Sequence, residues 1–193
     1  PPVLAVTSHS EGARRVTSVI GVFAATPAFG EFGDTLWTML SKAHNSVQRI
    51  PAQRFDIGVA TQAAPELLYV QHGHFVVGAE LFERQQFGMS PVEVRATDPS
   101  HRMLLEAVFS ACMRAGQSKS SILGTTTGMF LGIANVSDWG NLQRDIGDKS
   151  GVFSAHGSDG GAAAGRVSYL FGLKGPCFSV NTACSSSLVA LDA

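Results

Sequence analysis

Charge is thin in this chain and nearly balanced. Fourteen Lys and Arg stand against fifteen Asp and Glu, a formal net charge of −1 with histidines neutral. No broad basic field is available to hold nucleic acid, and no acidic tail is present. Cysteine is equally sparse. Cys112, Cys177 and Cys184 form an odd, unpatterned set, which makes no disulfide framework and suits a reducing compartment. No apolar run reaches the roughly 18 residues of a membrane span. The first residues lack the basic stretch followed by an apolar one that marks a secretory signal, so the sequon Asn135-Val136-Ser137 reads as idle. The expected location is the cytoplasm, with a plastid as the alternative.

What is present is a core. Hydrophobic residues make up 45% of the 193 residues and charged residues 15%, which argues for one well-buried globular domain and against disorder. There is no internal repeat and no low-complexity tract. The chain opens on Pro1-Pro2 without an initiator Met and stops at Ala193. That end falls within what reads as a fresh apolar helix, marked by Ser187-Leu188-Val189-Ala190-Leu191, whose apolar side chains need a partner surface. The expectation is a piece of a longer polypeptide.

Along the chain, residues 1–15 are mixed and polar and read as a linker or frayed end. Val16 to Ala25 is β-branched and reads as a strand. The stretch from Gly33 to Ala43 is a candidate helix, with Leu36, Trp37 and Leu40 at helical spacing. Pro51 to Pro65 reads as irregular, and His72 to Phe87 gives no clear element. The strongest helix spans 98–115. Asp98 is a good N-cap, Pro99 suits the first turn, and Gly116 supplies the stop. Leu104, Leu105, Val108, Phe109, Cys112 and Met113 share one face of it, and His101 is assigned to its polar side. Gly128 to Ile133 is a short apolar run between turn signals, a buried strand by its length. Gly151 to Gly165 is small, polar and glycine-rich, and within it Gly157-Ser158-Asp159-Gly160-Gly161 reads as a flexible loop. The run from Arg166 to Leu173 ends a helix or a strand. Cys177 to Val180 reads as a strand, then a turn at Asn181-Thr182-Ala183, then the final helix. Helices alternating with short apolar strands indicate an α/β architecture around a largely buried sheet.

The chemistry concentrates in Val180-Asn181-Thr182-Ala183-Cys184-Ser185-Ser186-Ser187-Leu188. The order is strand, tight turn, cysteine, helix. A thiol at a helix N-terminus meets unpaired N–H groups and the positive end of the macrodipole, and both favour the nucleophilic thiolate. Small neighbours leave room for a thioester carbonyl, and the same turn can aim N–H groups at a developing oxyanion. This is the logic of a nucleophile elbow with sulfur in place of oxygen. A buried cysteine between a strand and a helix can equally be a small apolar filler.

The run from Gly175 to Leu191, GPCFSVNTACSSSLVAL, resembles the active-site block of ketosynthase domains of polyketide synthases. Ala164-Gly165-Arg166-Val167-Ser168-Tyr169 resembles the block that precedes it. Upstream, Ser90-Pro91 and Asp98-Pro99-Ser100-His101-Arg102-Met103-Leu104-Leu105-Glu106 look like further signatures of the family. So do Trp37, Leu40 and Ile50-Pro51-Ala52-Gln53-Arg54-Phe55-Asp56. The likeness is collinear from about Val16 to Ala193, which one chance motif cannot produce. The sequence departs from the family pattern at Asn181 (usually Asp), His156 (usually Thr), Thr97 (usually Met) and Ala25-Thr26-Pro27 (usually an Arg-Phe-Pro block). These departures suggest a divergent branch.

The resemblance implies a thiolase-like fold, of which residues 16–193 would form the N-terminal half: a mixed sheet with packed helices, cut off after the start of the nucleophile helix. It implies that Cys184 takes an acyl group from phosphopantetheine. A malonyl-type thioester on an acyl carrier protein is then decarboxylated, and its carbanion attacks the acyl-enzyme. No cofactor would be bound directly. Two histidines of the family's site lie in the second half, so the isolated piece is expected to be inactive and poorly stable. The implied partners are the acyl carrier protein, a second copy of the chain, and an acyltransferase or other synthase domain. The product class, fatty acid or polyketide, stays open.

Among the six histidines, His156 is the local candidate to assist Cys184, and it reads as a substitution at a loop position. His9 and His44 lie in polar or helix-surface contexts. His72-Gly73-His74 has metal-like spacing but no accompanying ligands. Gly157-Ser158-Asp159-Gly160-Gly161 lacks the Lys-Ser/Thr of a phosphate loop. Cys112, Cys177, Trp37 and Trp139 read as structural. Three other functions remain beside condensation. They are an acyl-transferring ketosynthase that does not elongate, a non-catalytic dimerisation or docking remnant, and a cysteine hydrolase, which needs a nearby base.

Overall fold

The computed structural model describes residues 3–11, 14–23, 25–26, 30–31, 34–54, 56–63, 70–134, 138–145 and 152–193. The chain begins with two strands that pair with each other, β1 (Val3–Glu11) and β2 (Arg14–Phe23). Thus part of the segment expected as a linker or frayed end is a strand. Then come β3 (Ala25–Thr26), β4 (Gly30–Glu31), α1 (Asp34–Ser41), β5 (Gln48–Arg49), α2 (Ile57–Ala63) and β6 (His72–Gly73). The rest is α3 (Arg84–Phe87), α4 (Pro91–Ala96), α5 (Pro99–Arg114), α6 (Lys119–Ile122), β7 (Met129–Gly132), α7 (Trp139–Asp145), α8 (Val152–Gly157), α9 (Gly160–Phe171), β8 (Cys177–Val180) and α10 (Ser186–Asp192). Two compact units emerge: Phe23–Gly78, and Val3–Val22 with Ala79–Ala193.

Within the first unit, β3 pairs antiparallel with β4 and β5 with β6, with Gln48 opposite Gly73. The Arg54 guanidinium donates to the Val76 carbonyl at 2.7 Å. Helix α2 occupies part of the stretch expected to be irregular. Asp56 explains it: its carboxylate accepts from the Gly58 and Val59 amides at 2.8 and 3.2 Å, satisfying donors that a helix start leaves orphaned. Trp37 and Leu40 do lie on a helix, but they are 73% and 60% exposed. The packing role expected of Trp37 is therefore absent among the described residues.

The second unit holds the larger core. Phe87, Met89, Leu105, Val108, Ile122, Val167 and Phe171 cluster where α3, α5, α6 and α9 meet. Helix α5 forms as its sequence dictates. The Asp98 carboxylate accepts from the Ser100 amide and hydroxyl, both at 2.7 Å, and Pro99 loses nothing at the first position, where its missing N–H would be unpaired anyway. The helix ends in a Schellman motif: the Gly116 amide donates to Met113 at 3.0 Å and the Gln117 amide to Cys112 at 2.9 Å. Gly116 has φ 72, the left-handed region that glycine enters without a Cβ clash. The buried face is shifted from the expected one. His101, Ala107 and Ala111 are buried with Leu105 and Val108, whereas Met113 is exposed.

The glycine-rich segment departs most from expectation. In place of a flexible loop, residues 157–161 close α8 and open α9. The Asp159 carboxylate caps α9, accepting from the Gly161 amide at 2.9 Å. Ala162-Ala163-Ala164 are strong helix formers whose small side chains allow close packing. Gly157 has a steric reason: a Cβ there would lie 2.0 Å from the Ala96 carbonyl oxygen. Its own carbonyl accepts from the Asp98 amide at 2.8 Å. Arg166 braces the group, pairing with Glu93 of α4 at 3.1 Å and donating to the His156 carbonyl at 3.3 Å. Thr97 is fully buried, and its hydroxyl donates to the Glu93 carbonyl at 2.8 Å.

His101 is only 3% exposed, not on a polar surface, and its Nδ1 has no hydrogen-bond partner among the described residues. Burial holds the imidazole below its ordinary 6.5. Asp98 and Asp159 oppose that shift, and Arg166 adds to it. The unfolded chain therefore takes up this proton first as pH falls. Stability should drop as pH moves below about 6.5, and His101→Gln should flatten that slope. Urea denaturation across a pH series measures both.

Candidate active site

Two strands and one glycine place the elbow. β7 and β8 run parallel, with Met129 opposite Cys177 and Gly132 opposite Val180. One further bond, from the Ile133 amide to the Val180 carbonyl at 3.0 Å, carries the ladder past their ends. Phe130 and Phe178 meet edge to face across it at 5.0 Å. The chain then leaves β8 at Asn181, makes a 3₁₀ turn over Ala183–Ser185 and enters α10. This is the predicted sequence of strand, turn and helix.

Helix α10 reaches this position because β7 ends on Gly132. A Cβ there would lie 2.5 Å from the Ser186 carbonyl carbon and 2.6 Å from both the Ser186 oxygen and the Ser187 nitrogen. The absent side chain lets the helix backbone lie directly on the strand. Sequence reading passed over Gly132, although an isolated glycine in an apolar strand is the usual sign of such an approach.

Cys184 lies in the 3₁₀ turn. It is an exposed free thiol. The turn around it is dense in hydrogen bonds. The Asn181 Oδ1 accepts from the Ala183 amide at 3.1 Å. Ser186 Oγ accepts from the Thr182 amide at 2.8 Å and donates to the Ala183 carbonyl at 2.7 Å. Ser185 Oγ lies 2.9 Å from both the carbonyl and the hydroxyl of Thr182. Ala183 has φ 55, a left-handed conformation in a residue that carries a Cβ. Ser186 is 4% exposed. Ala183 was singled out from the sequence only as a small neighbour of the thiol, and Ser186 was not singled out at all. Beside the turn, a cavity of about 150 Å³ is lined by Ile133, Gly160, Gly161, Ser179, Val180 and Asn181.

The other candidates fall elsewhere. His156 is exposed, in the last turn of α8 and not in a loop. Cys112 is half-buried on α5, where burial pushes its thiol up. Cys177 is exposed at the start of β8. His74 Nδ1 is 2.7 Å from Ser46 Oγ. Among the described residues no group of three or more His, Cys, Asp or Glu is placed to hold a metal ion. No described helix is long and apolar enough to cross a membrane.

Residues 14–193 match the family model for the beta-ketoacyl synthase, N-terminal domain. Polyketide synthase GfsB of Streptomyces halstedii is 38% identical over 178 residues, covering 90% of this chain and 3% of that protein. Mycoketide-CoA synthase of Mycobacterium tuberculosis (strain ATCC 25618 / H37Rv) is 36% identical over 178 residues, 90% of this chain and 4% of that protein. Among solved structures, the oxazolomycin ketosynthase domain OzmH KS7 of Streptomyces albus JA3453 superimposes with a TM-score of 0.71 at 29% identity. It covers 89% of this chain and 30% of the solved one. The ketosynthase from module 6 of the bacillaene synthase of Bacillus subtilis 168 gives a TM-score of 0.73 at 27% identity, over 90% and 28% of the two chains.

The fold is thus thiolase-like α/β, as the sequence implied. The chain belongs to the beta-ketoacyl synthase family, resembling the ketosynthase domains of polyketide synthases, and it spans the N-terminal part of such a domain.

Gly132→Ala should wedge α10 away from β7. The expected loss is roughly 1–3 kcal/mol, the usual range for overpacking, read as a lower denaturation midpoint of the intact protein with unchanged urea dependence.

Proposed function

We propose that Cys184 is the acyl-accepting nucleophile of a ketosynthase that builds a polyketide chain. The observation that carries this is an exposed thiol in the turn from β8 into α10, in a chain of the beta-ketoacyl synthase family. The Cys184 thiolate attacks the carbonyl of a thioester carried on phosphopantetheine. The carbon–sulfur bond to the carrier breaks, and the carrier thiol leaves with the proton. A malonyl-type thioester on an acyl carrier protein then loses carbon dioxide. The carbanion so formed attacks the carbonyl held on Cys184, making a carbon–carbon bond and expelling the Cys184 thiolate. Two histidines from the remainder of the domain assist decarboxylation and steady the oxyanion. Polyketide rather than fatty-acid synthesis is favoured because the relatives at 38% and 36% identity are GfsB, named a polyketide synthase, and mycoketide-CoA synthase.

The domain proper is proposed to run over 16–193 and beyond. The enzyme works in the cytoplasm as a dimer, with the acyl carrier protein and other synthase domains as its partners. The isolated 193-residue piece is expected to be inactive, since half of the site is supplied from elsewhere.

Intact protein incubated with an acyl thioester should gain one acyl mass on Cys184, and Cys184→Ala should gain none. Loading of the Cys184→Ala protein would sink the assignment. Adding malonyl-loaded carrier protein should then discharge the acyl-enzyme with release of carbon dioxide, whereas a persistent acyl-enzyme marks a ketosynthase that only transfers. His156→Gln should load normally, because His156 is proposed to be no part of the acyl-transfer machinery.

A further inference from the structure

Ala183 poses a problem that its neighbours solve. At φ 55 its Cβ crowds its own backbone, and an alanine left to itself abandons the left-handed region for the extended or right-handed one. Either change would swing the peptide between Ala183 and Cys184 and carry the thiol with it. Two side chains grip this residue at its two ends. On the N-terminal side, Asn181 Oδ1 accepts from the Ala183 amide. On the C-terminal side, Ser186 Oγ donates to the Ala183 carbonyl. Ser186 also accepts from the Thr182 amide, so its hydroxyl bridges the 181–182 peptide and the 183–184 peptide, with Ala183 held between. Ser186 is itself buried, with its backbone seated on Gly132.

We infer that Asn181 and Ser186 are positioning residues, a clamp that holds Ala183 left-handed and thereby sets the direction of Cys184 Sγ. The inference rests on the proposed role of Cys184 but concerns geometry that exists without substrate. The clamp needs an acceptor at 181 and a donor at 186. An amide or a carboxylate serves equally at 181. A glycine at 183 removes the need for the clamp, since glycine enters the left-handed region without steric penalty.

That last property supplies the test. Asn181 is exposed, so truncating it leaves the core intact. In the intact protein, loading of Cys184 from a short-chain acyl N-acetylcysteamine thioester is followed for the parent, Asn181→Ala, Ala183→Gly and the double variant. Asn181→Ala should slow loading by about 100-fold at saturating thioester, the scale of an ångström-level misplacement of a reacting group. In the Ala183→Gly background the same truncation should slow it by less than about ten-fold. Asn181→Asp should recover most of the lost rate. Equal losses in the two backgrounds would overturn the clamp, because Asn181 would then act through something other than Ala183. Should the parent itself accept no acyl group, the proposed function fails, while alkylation rates of Cys184 by iodoacetamide in the same four proteins still decide the clamp by the same comparison.

Discussion

Everything around Cys184 depends on one contact between backbones, the seating of the Ser186–Ser187 peptide on Gly132. The parallel pairing of β7 with β8 sets the distance at which the chain must turn back. The bare strand end at Gly132 lets α10 return at van der Waals range, and burial of Ser186 follows from it. A side chain at this point would lift the helix, and the hydroxyl that ties Thr182 to Ala183 would lose its place. The small residues of the turn thus have a mechanical reason of their own.

The supporting layer works by polar bracing as well as apolar packing. Apolar burial gathers α3, α5, α6 and α9 around Leu105 and Phe171. Arg166 then joins α9 to α4 and α8 through Glu93 and the His156 carbonyl. The pair with Glu93 is only partly exposed, so solvent screens it less than a surface pair. α9 in turn borders the cavity beside Asn181 through Gly160 and Gly161.

Much of this was legible in the sequence wherever two local signals agreed. Helix α5 has a cap, a proline, apolar periodicity and a glycine stop, and all four point to one element. β7, β8 and the final helix were legible for the same reason, and the block around Cys184 carried the family. Elsewhere a single signal was overridden by tertiary context. Glycine and serine in 157–161 suggested a loop, but Asp159 caps a helix there and Gly157 is needed for close approach. His101 looked polar and is buried, because its helix turns that face toward α9. Pro51 to Pro65 read as irregular, yet Asp56 caps a helix within it. The Asn181–Ser186 pair was invisible because only the fold brings both side chains onto Ala183.

The bond from the Asp98 amide to the Gly157 carbonyl has a further meaning. Gly157 closes α8 and Asp98 precedes α5, so the negative end of one helix dipole meets the positive end of another inside the protein. Each end neutralises part of the other, where surface helices would call on dissolved ions. Both residues at the junction are buried, so dissolved salt screens this contact less than it would two helix ends meeting at the surface.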